Sequence, residues 1–163
     1  MEIRPETPTD HETIYRLTKV AFQSMPFSDG SEADSIDALR DDGDLTISLV
    51  AICDAVLVGH IAFSPVSIEG RRDGWFGLGP VSVWPRLQGT GIGTVLVNAG
   101  RDRLRRIEAD GCVLIGDPAY YGRFGFRSGN GLVYRNLPDR LVQWLAFGDR
   151  KPSGVLRFSP GLE

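Results

Sequence analysis

Apolar residues recur at two different intervals along this chain, and the change of interval divides it into elements. "IRPET" at Ile3 reads as a short strand, and Ile14, Leu17 and Ala21 then fall on one face of a helix, with Asp10 placed to cap its start. "SMPFSDGS" interrupts the pattern with Pro26 and Gly30. Ala33, Ile36 and Leu39 predict a second short helix, which ends in the Asp-rich turn "RDDGD". From Leu45 the period falls to two: "LTISLVAIC", a turn at Asp54 and Ala55, and "VLVGHIAFSPVSIEG" read as an antiparallel hairpin. In its second arm Leu57, Ile61 and Phe63 alternate with Val58, His60 and Ala62, so both faces are partly apolar, as in a central strand. His60 fits there as a hydrogen-bonded sheet histidine.

A loop at Arg71 to Gly74 leads into the strand "WFGLGPVSVWP". The next segment is the clearest helix. Ile92, Val95, Leu96, Ala99, Leu104 and Ile107 form one stripe, and Asn98, Arg101, Asp102, Arg105 and Glu108 the other. Gly111 is positioned to stop it, and "CVLIG" follows as a short buried strand. Strand, helix and strand at this spacing predict a right-handed crossover with parallel strands at its ends. The tail holds two further strands, "LVQWLAF" and "GVLRF", separated by the turn "GDRKPSG". With no repeat, linker or low-complexity tract, residues 1–163 read as one domain.

Composition narrows the function. The formal charge is -3, from 18 basic and 21 acidic residues, which provides no general field for nucleic acid or anionic lipid. Arg101, Arg103, Arg105 and Arg106 cluster, but at helical spacing they spread around a solvated face. The first residues, "MEIRPETPTD", have no signal-peptide pattern, and no apolar run approaches the roughly 18 residues of a membrane span, so a cytoplasmic location is expected. Cys53 and Cys112 sit in apolar runs and read as buried, reduced thiols; neither has a nearby cation to lower its pKa.

The remaining unusual feature is "WPRLQGTGIGTVL", where Gly89, Gly91 and Gly93 stand between a strand and a helix. The first N–H groups of a helix lack internal partners and lie at the positive end of its dipole, so this turn can bind a phosphate through backbone alone. A Walker loop would end in Gly-Lys-Ser or Gly-Lys-Thr, and neither occurs. A dinucleotide fingerprint would need its third glycine one place later and an acidic residue roughly 20 positions on. Neither reading fits. A bare strand-to-helix connection needs fewer glycines than this.

"VSVWPRLQGTGIGTVL" resembles the coenzyme A loop of the GNAT superfamily of N-acetyltransferases, with Gln88, Gly91 and Gly93 filling its signature and Val81, Val83 and Pro85 the approach to it. "YYGRFGF" resembles the later Tyr-x-x-x-Gly-Phe pattern of the same family, with Tyr121 four places before Gly125. "EADSIDALR", "VGHIAFSPV", "GLGPVSV" and "GDPAYYGRFGF" are similar to the YhbS-like branch in particular. The resemblance covers residues 2 to 135. It implies an α+β fold whose twisted, mostly antiparallel mixed sheet has about six to eight strands, a parallel central pair and flanking helices.

The same resemblance implies acetyl-CoA as cosubstrate, no metal, and direct acetyl transfer to a primary amine of a small molecule or protein in a ternary complex. The backbone of Gln88, Gly89, Thr90, Gly91, Ile92, Gly93 and Thr94 would hold the pyrophosphate. The strand at Val81, Ser82 and Val83 would bond the pantetheine arm and the acetyl oxygen. Tyr121 would be the general acid for the departing thiolate, a role suited to a phenol near pKa 10 that stays protonated at neutral pH. An alkyl amine, pKa about 10.4, must lose a proton before it attacks. Glu32, Asp29, Asp117 and His60 are candidates by position, and no base is assigned. Asp117 departs from the Asn found at that place in many relatives. The acceptor site would be formed by "AFQSMPFSDGSEADS" and the tail around Trp144, and "LVQWLAF" offers an edge strand for a homodimer. The alternative reading is a non-catalytic acyl-CoA-binding sensor or interaction module; a dinucleotide-dependent oxidoreductase ranks third.

Overall fold

A computed structural model describes all of residues 1–163. The chain runs β1 (Glu2–Pro5), α1 (His11–Phe22), α2 (Glu32–Asp41), β2 (Ile47–Cys53), β3 (Val56–Pro65), β4 (Ser67–Ile68) and β5 (Trp75–Val83). It continues through α3 (Ile92–Arg106), β6 (Gly111–Ile115), α4 (Pro118–Tyr121), β7 (Arg127–Ser128), β8 (Leu132–Val133), β9 (Val142–Ala146) and β10 (Gly154–Arg157). Seven strands form one sheet in the order β1-β2-β3-β5-β6-β9-β7, and β4, β10 and β8 form a small second one. In the large sheet every pair is antiparallel except β5 with β6, which α3 joins as a crossover. This is the mixed sheet with one parallel central pair that the sequence led us to expect.

That parallel pair is short. β5 and β6 are bonded only from Trp75–Gly77 to Gly111–Val113. Past Gly77 the two strands part, which leaves one edge of β5 without a neighbouring strand. α3 covers one face of the sheet, burying Ile92, Leu96, Val97 and Leu104 against Leu49, Ile61, Phe63, Cys112 and Leu114. α1 and α2 contribute Ile14, Leu17 and Ile36 to a cluster with Val50 and Leu57. A third cluster, with Trp75, Val113, Trp144 and Leu156, includes residues of the small sheet.

Several local expectations change. Gly59 faces Ala51 but Leu57 faces Ile52, so a β-bulge at Val58 resets the alternation and Leu57 joins the α1–α2 cluster instead of Ile61 and Phe63. On α3 the buried line is Ile92, Leu96, Val97, Gly100 and Leu104, while Val95 and Ile107 are exposed. Gly100 rotates the contact face, because a Cβ there would collide with the Phe63 ring. α3 ends at Arg106, with Glu108 at φ 60°, before Gly111 is reached. Gly111 instead begins β6, where a Cβ would strike the Leu145 carbonyl and the Trp75 ring. Arg101 and Arg105 are not merely solvated: one donates to the Phe124 carbonyl at 2.7 Å and the other lies over the Phe147 ring.

Asp10 stands just before α1, but its carboxylate turns back to accept from the Thr7 N–H at 2.7 Å and to pair with Arg4. Those partners hold it down at about 2. Cys112 is buried, and burial pushes its thiol up to about 12, whereas Cys53 is exposed because it closes β2 at the hairpin turn. β9 is not an edge strand. β7 pairs outside it at Gln143 and Trp144, which removes the basis for a dimer through "LVQWLAF". β10 leaves the large sheet altogether and pairs with β4 and β8.

His60 is fully buried on β3. Its Nε2 lies 2.8 Å from Ser48 Oγ, and Ser48 donates to Glu6, which also pairs with Arg40 and His11. Because Ser48 gives its proton to Glu6, His60 donates Nε2–H, and Nδ1 is left without a partner. Burial lowers the His60 pKa to about 4 from 6.5. As pH falls through 6.5 the unfolded chain takes up a proton that the folded chain refuses until about 4. Folding stability should therefore decline across that window by on the order of 3 kcal/mol. Urea unfolding at pH 7 and pH 4.5 measures the decline, and His60→Gln should flatten it; an unchanged decline in that variant would assign it to other groups.

Candidate active site

Where β5 and β6 part, a cleft of about 630 Å³ opens, lined by Val81, Val83, Gln88, Gly89 and Gly91 to Thr94 on one side and Tyr120, Tyr121 and Arg123 on the other. Its first wall is the free edge of β5. Trp84 donates its N–H to Val58, so Ser82 and Trp84 turn their backbone groups toward β3, and strand alternation turns those of Val81 and Val83 to the gap. Gln88 Nε2 donates to the Val83 carbonyl at 3.1 Å. The Val81 N–H and C=O and the Val83 N–H remain available.

The glycine turn has three separate causes. Gly89 and Gly91 adopt left-handed backbone, φ 79° and 97°, and Gly91 is the residue from which α3 starts. Gly93 is helical, and its reason is closeness: a Cβ there would lie 3.1 Å from the Tyr120 hydroxyl. Thr90 Oγ1 donates to the Leu87 carbonyl and holds the turn from within. No side chain caps the first N–H groups of α3, so they are open toward the cleft. Ser82 and Ile92 can serve there only through backbone. The Ser82 hydroxyl donates to Thr18 on α1 at 3.3 Å, and the Ile92 side chain is buried in the core.

Across the gap, Asp117 caps α4 by accepting from the Ala119 N–H at 2.9 Å, and Pro118 occupies the first helical position. The turn ends at Gly125 with φ 93°. Between them the two tyrosines diverge, their rings edge to face at 4.9 Å. Tyr121 packs over Gly116, where a Cβ would come within 2.7 Å of the ring, and against Phe126. Its hydroxyl has no protein partner, and burial, with Tyr120 adding to it, raises the phenol to about 12. Tyr120 points to the start of α3 and lies under the Arg123 guanidinium at 4.2 Å.

The candidate bases are occupied elsewhere. Asp117 is the α4 cap. Asp29 accepts from the Ser31 N–H and hydroxyl, which lower its pKa, and Glu32 accepts from the Ser28 hydroxyl at 2.7 Å. His60 is fully buried on β3, with its Nε2 bonded to Ser48 on β2. The segment joining α1 and α2 brings Met25 to the cleft, and behind it Lys19, Phe22, Gln23, Ser28 and Glu32 line a second hollow of about 500 Å³. Trp144 does not line the cleft; it packs with Trp75 and Leu156 and donates its indole N–H to the Gly129 carbonyl. Met25 belongs to the segment expected to form the acceptor site, whereas Leu87, Tyr120 and Arg123 line the cleft without having been singled out as site residues in the sequence. Arg123 was detectable, since it stands three residues after Tyr120 on a helical turn and must share its face. No group of three or more His, Cys, Asp or Glu is placed to hold a metal ion, and no helix is long and apolar enough to cross a membrane.

Comparison with known proteins agrees with this geometry. Residues 2–129 match the acetyltransferase (GNAT) domain. The chain is 39% identical over 127 residues to the N-acetyltransferase YhbS of Escherichia coli K12, covering 77% of this chain and 73% of that protein. A GNAT family acetyltransferase from Brucella melitensis, solved with acetyl-CoA, superposes with a TM-score of 0.90 at 44% identity, covering 99% of this chain and 97% of the other. E. coli YhbS, solved with CoA, also superposes at 0.90, with 32% identity over 99% of this chain and 91% of its own. The chain belongs to the GNAT family of acetyltransferases, enzymes that move an acetyl group from acetyl-CoA to an amine.

Proposed function

We propose that this chain, acting as one domain over residues 1–163, carries out that transfer by direct attack of a primary amine on acetyl-CoA in a ternary complex. The observation that carries the proposal is one cleft with two unlike walls. One wall offers the unpaired N–H groups of Val81 and Val83 and the open amides from Gly89 to Thr94, the Gln88 N–H being taken by the Pro85 carbonyl, and the other offers the half-buried phenol of Tyr121. The amides, at the positive end of α3, suit a pyrophosphate. Gly89 and Gly91 keep that backbone free of Cβ atoms where it must touch the phosphates. The β5 edge suits the amides of a pantetheine arm, and a Val81 or Val83 N–H is placed to stabilise an oxyanion at the acetyl carbonyl.

In this reading the neutral amine nitrogen forms the new C–N bond, the carbonyl oxygen takes the charge onto the β5 N–H, and the C–S bond breaks as the intermediate collapses. The Tyr121 hydroxyl gives its proton to the leaving thiolate and is reprotonated from solvent. The amine proton is lost to water, since none of the four candidate bases has a free group at the cleft. The reliance on acetyl-CoA is also the basis for placing the protein in the cytoplasm. The acceptor enters from the side of Met25 and the α1–α2 segment.

The test is thiol release from acetyl-CoA against a panel of polyamines, amino-acid α-amines, aminoglycosides and peptide N-termini. Saturable release with at least one acceptor is expected. Tight acetyl-CoA binding without turnover on any of them would favour an acyl-CoA-binding module instead.

A further inference from the structure

Arg123 is the one charged residue that lines the cleft. A bound pyrophosphate carries two negative charges, and the glycine turn meets them with dipoles alone, because it lacks the lysine with which a Walker loop supplies a full positive charge. Arg123 is built to stand in for it. Its Nε donates to the Tyr120 carbonyl at 3.1 Å, and its guanidinium lies over the Tyr120 ring at 4.2 Å. The two terminal nitrogens have no protein partner. Tyr120 in turn abuts Gly93, its hydroxyl 3.1 Å from where a Cβ would sit. One aromatic ring therefore separates a fixed, partly unsatisfied guanidinium from the first turn of α3.

Accepting that the cleft takes acetyl-CoA, we infer that Arg123, held on Tyr120, is the cationic arm of the pyrophosphate site and fixes the donor from the α4 side. A planar guanidinium prepositioned by stacking can bond two phosphate oxygens and loses little freedom in doing so. The other tyrosine is then left free for chemistry. The two residues of the doublet divide the work: Tyr120 carries the phosphate clamp, and Tyr121 faces the thioester.

The experiment is calorimetric titration of wild type and of Arg123→Ala with CoA, 3'-dephospho-CoA and pantetheine. Arg123→Ala should weaken CoA and 3'-dephospho-CoA by the same factor, about tenfold or more, and make CoA affinity less sensitive to salt. Pantetheine, which has no phosphate, should bind equally to both proteins. Arg123→Lys should recover only part of the loss, which separates the charge from the fold. Equal CoA affinity in Arg123→Ala would overturn the inference, and so would a loss confined to CoA, which would move Arg123 to the 3'-phosphate. Failure of the wild type to bind CoA would instead defeat the acetyltransferase reading itself.

Discussion

Replacing Tyr121 with phenylalanine should lower kcat about a hundredfold or more while leaving the KM for acetyl-CoA within about twofold, because a positioned acid contributes to the transition state and not to donor binding. The hydroxyl makes no protein hydrogen bond, so its loss should cost little stability, and the ring keeps its packing on Gly116 and Phe126. Tyr120→Phe is the matched control. It removes a hydroxyl one residue away that faces the helix start, and it should leave kcat nearly unchanged. The pH dependence carries a second signature. With the phenol raised to about 12, the acid form persists throughout the accessible range. The rate should keep rising as the amine deprotonates, with no falling limb near pH 10. A hundredfold loss in Tyr120→Phe and none in Tyr121→Phe would exchange the two roles; a falling limb near 10 would show the phenol to be less buried than its packing on Gly116 requires.

The sheet and the glycine turn that lines the cleft are legible in the sequence because each depends on short-range rules. Alternation finds strands, the 3.6 period finds helices, and glycines at Gly89 and Gly91 mark backbone that other residues avoid. The failures all involve the third dimension. Nothing in a period-two pattern announces the bulge at Val58, which turns Leu57 to the other face. Gly93 looks like its neighbours in the motif, but its reason lies 27 residues further on, in the hydroxyl of Tyr120. Gly111 looks like a helix stop and is a contact with Leu145 and Trp75. Trp144 is aromatic and lies in the tail, which made it an acceptor candidate, and only the pairing of β9 with β6 shows that it points into a core. The splay of β5 from β6, on which the whole site depends, has no signature in either strand.

Gly91→Val should raise the KM for acetyl-CoA by about tenfold or more and change kcat at saturation far less, the reverse of the Tyr121 result. A Cβ at Gly91 would meet no other atom, so crowding is not the cause. The cost is conformational. At φ 97° and ψ 0° the residue is in left-handed backbone, which a β-branched side chain resists by about 1–2 kcal/mol or more. The turn can relieve this only by rotating the peptides on either side of residue 91, and those peptides carry the N–H groups that open toward the cleft. Binding therefore suffers more than folding does, since α3 keeps its buried line from Ile92 to Leu104. Gly100→Ala makes the useful contrast. Its Cβ would press on Phe63 in the core, so it should lower the melting temperature while acetyl-CoA affinity holds. If Gly91→Val instead lost stability with its KM unchanged, the turn would be serving the fold, and the phosphates would have to be held by something other than its backbone.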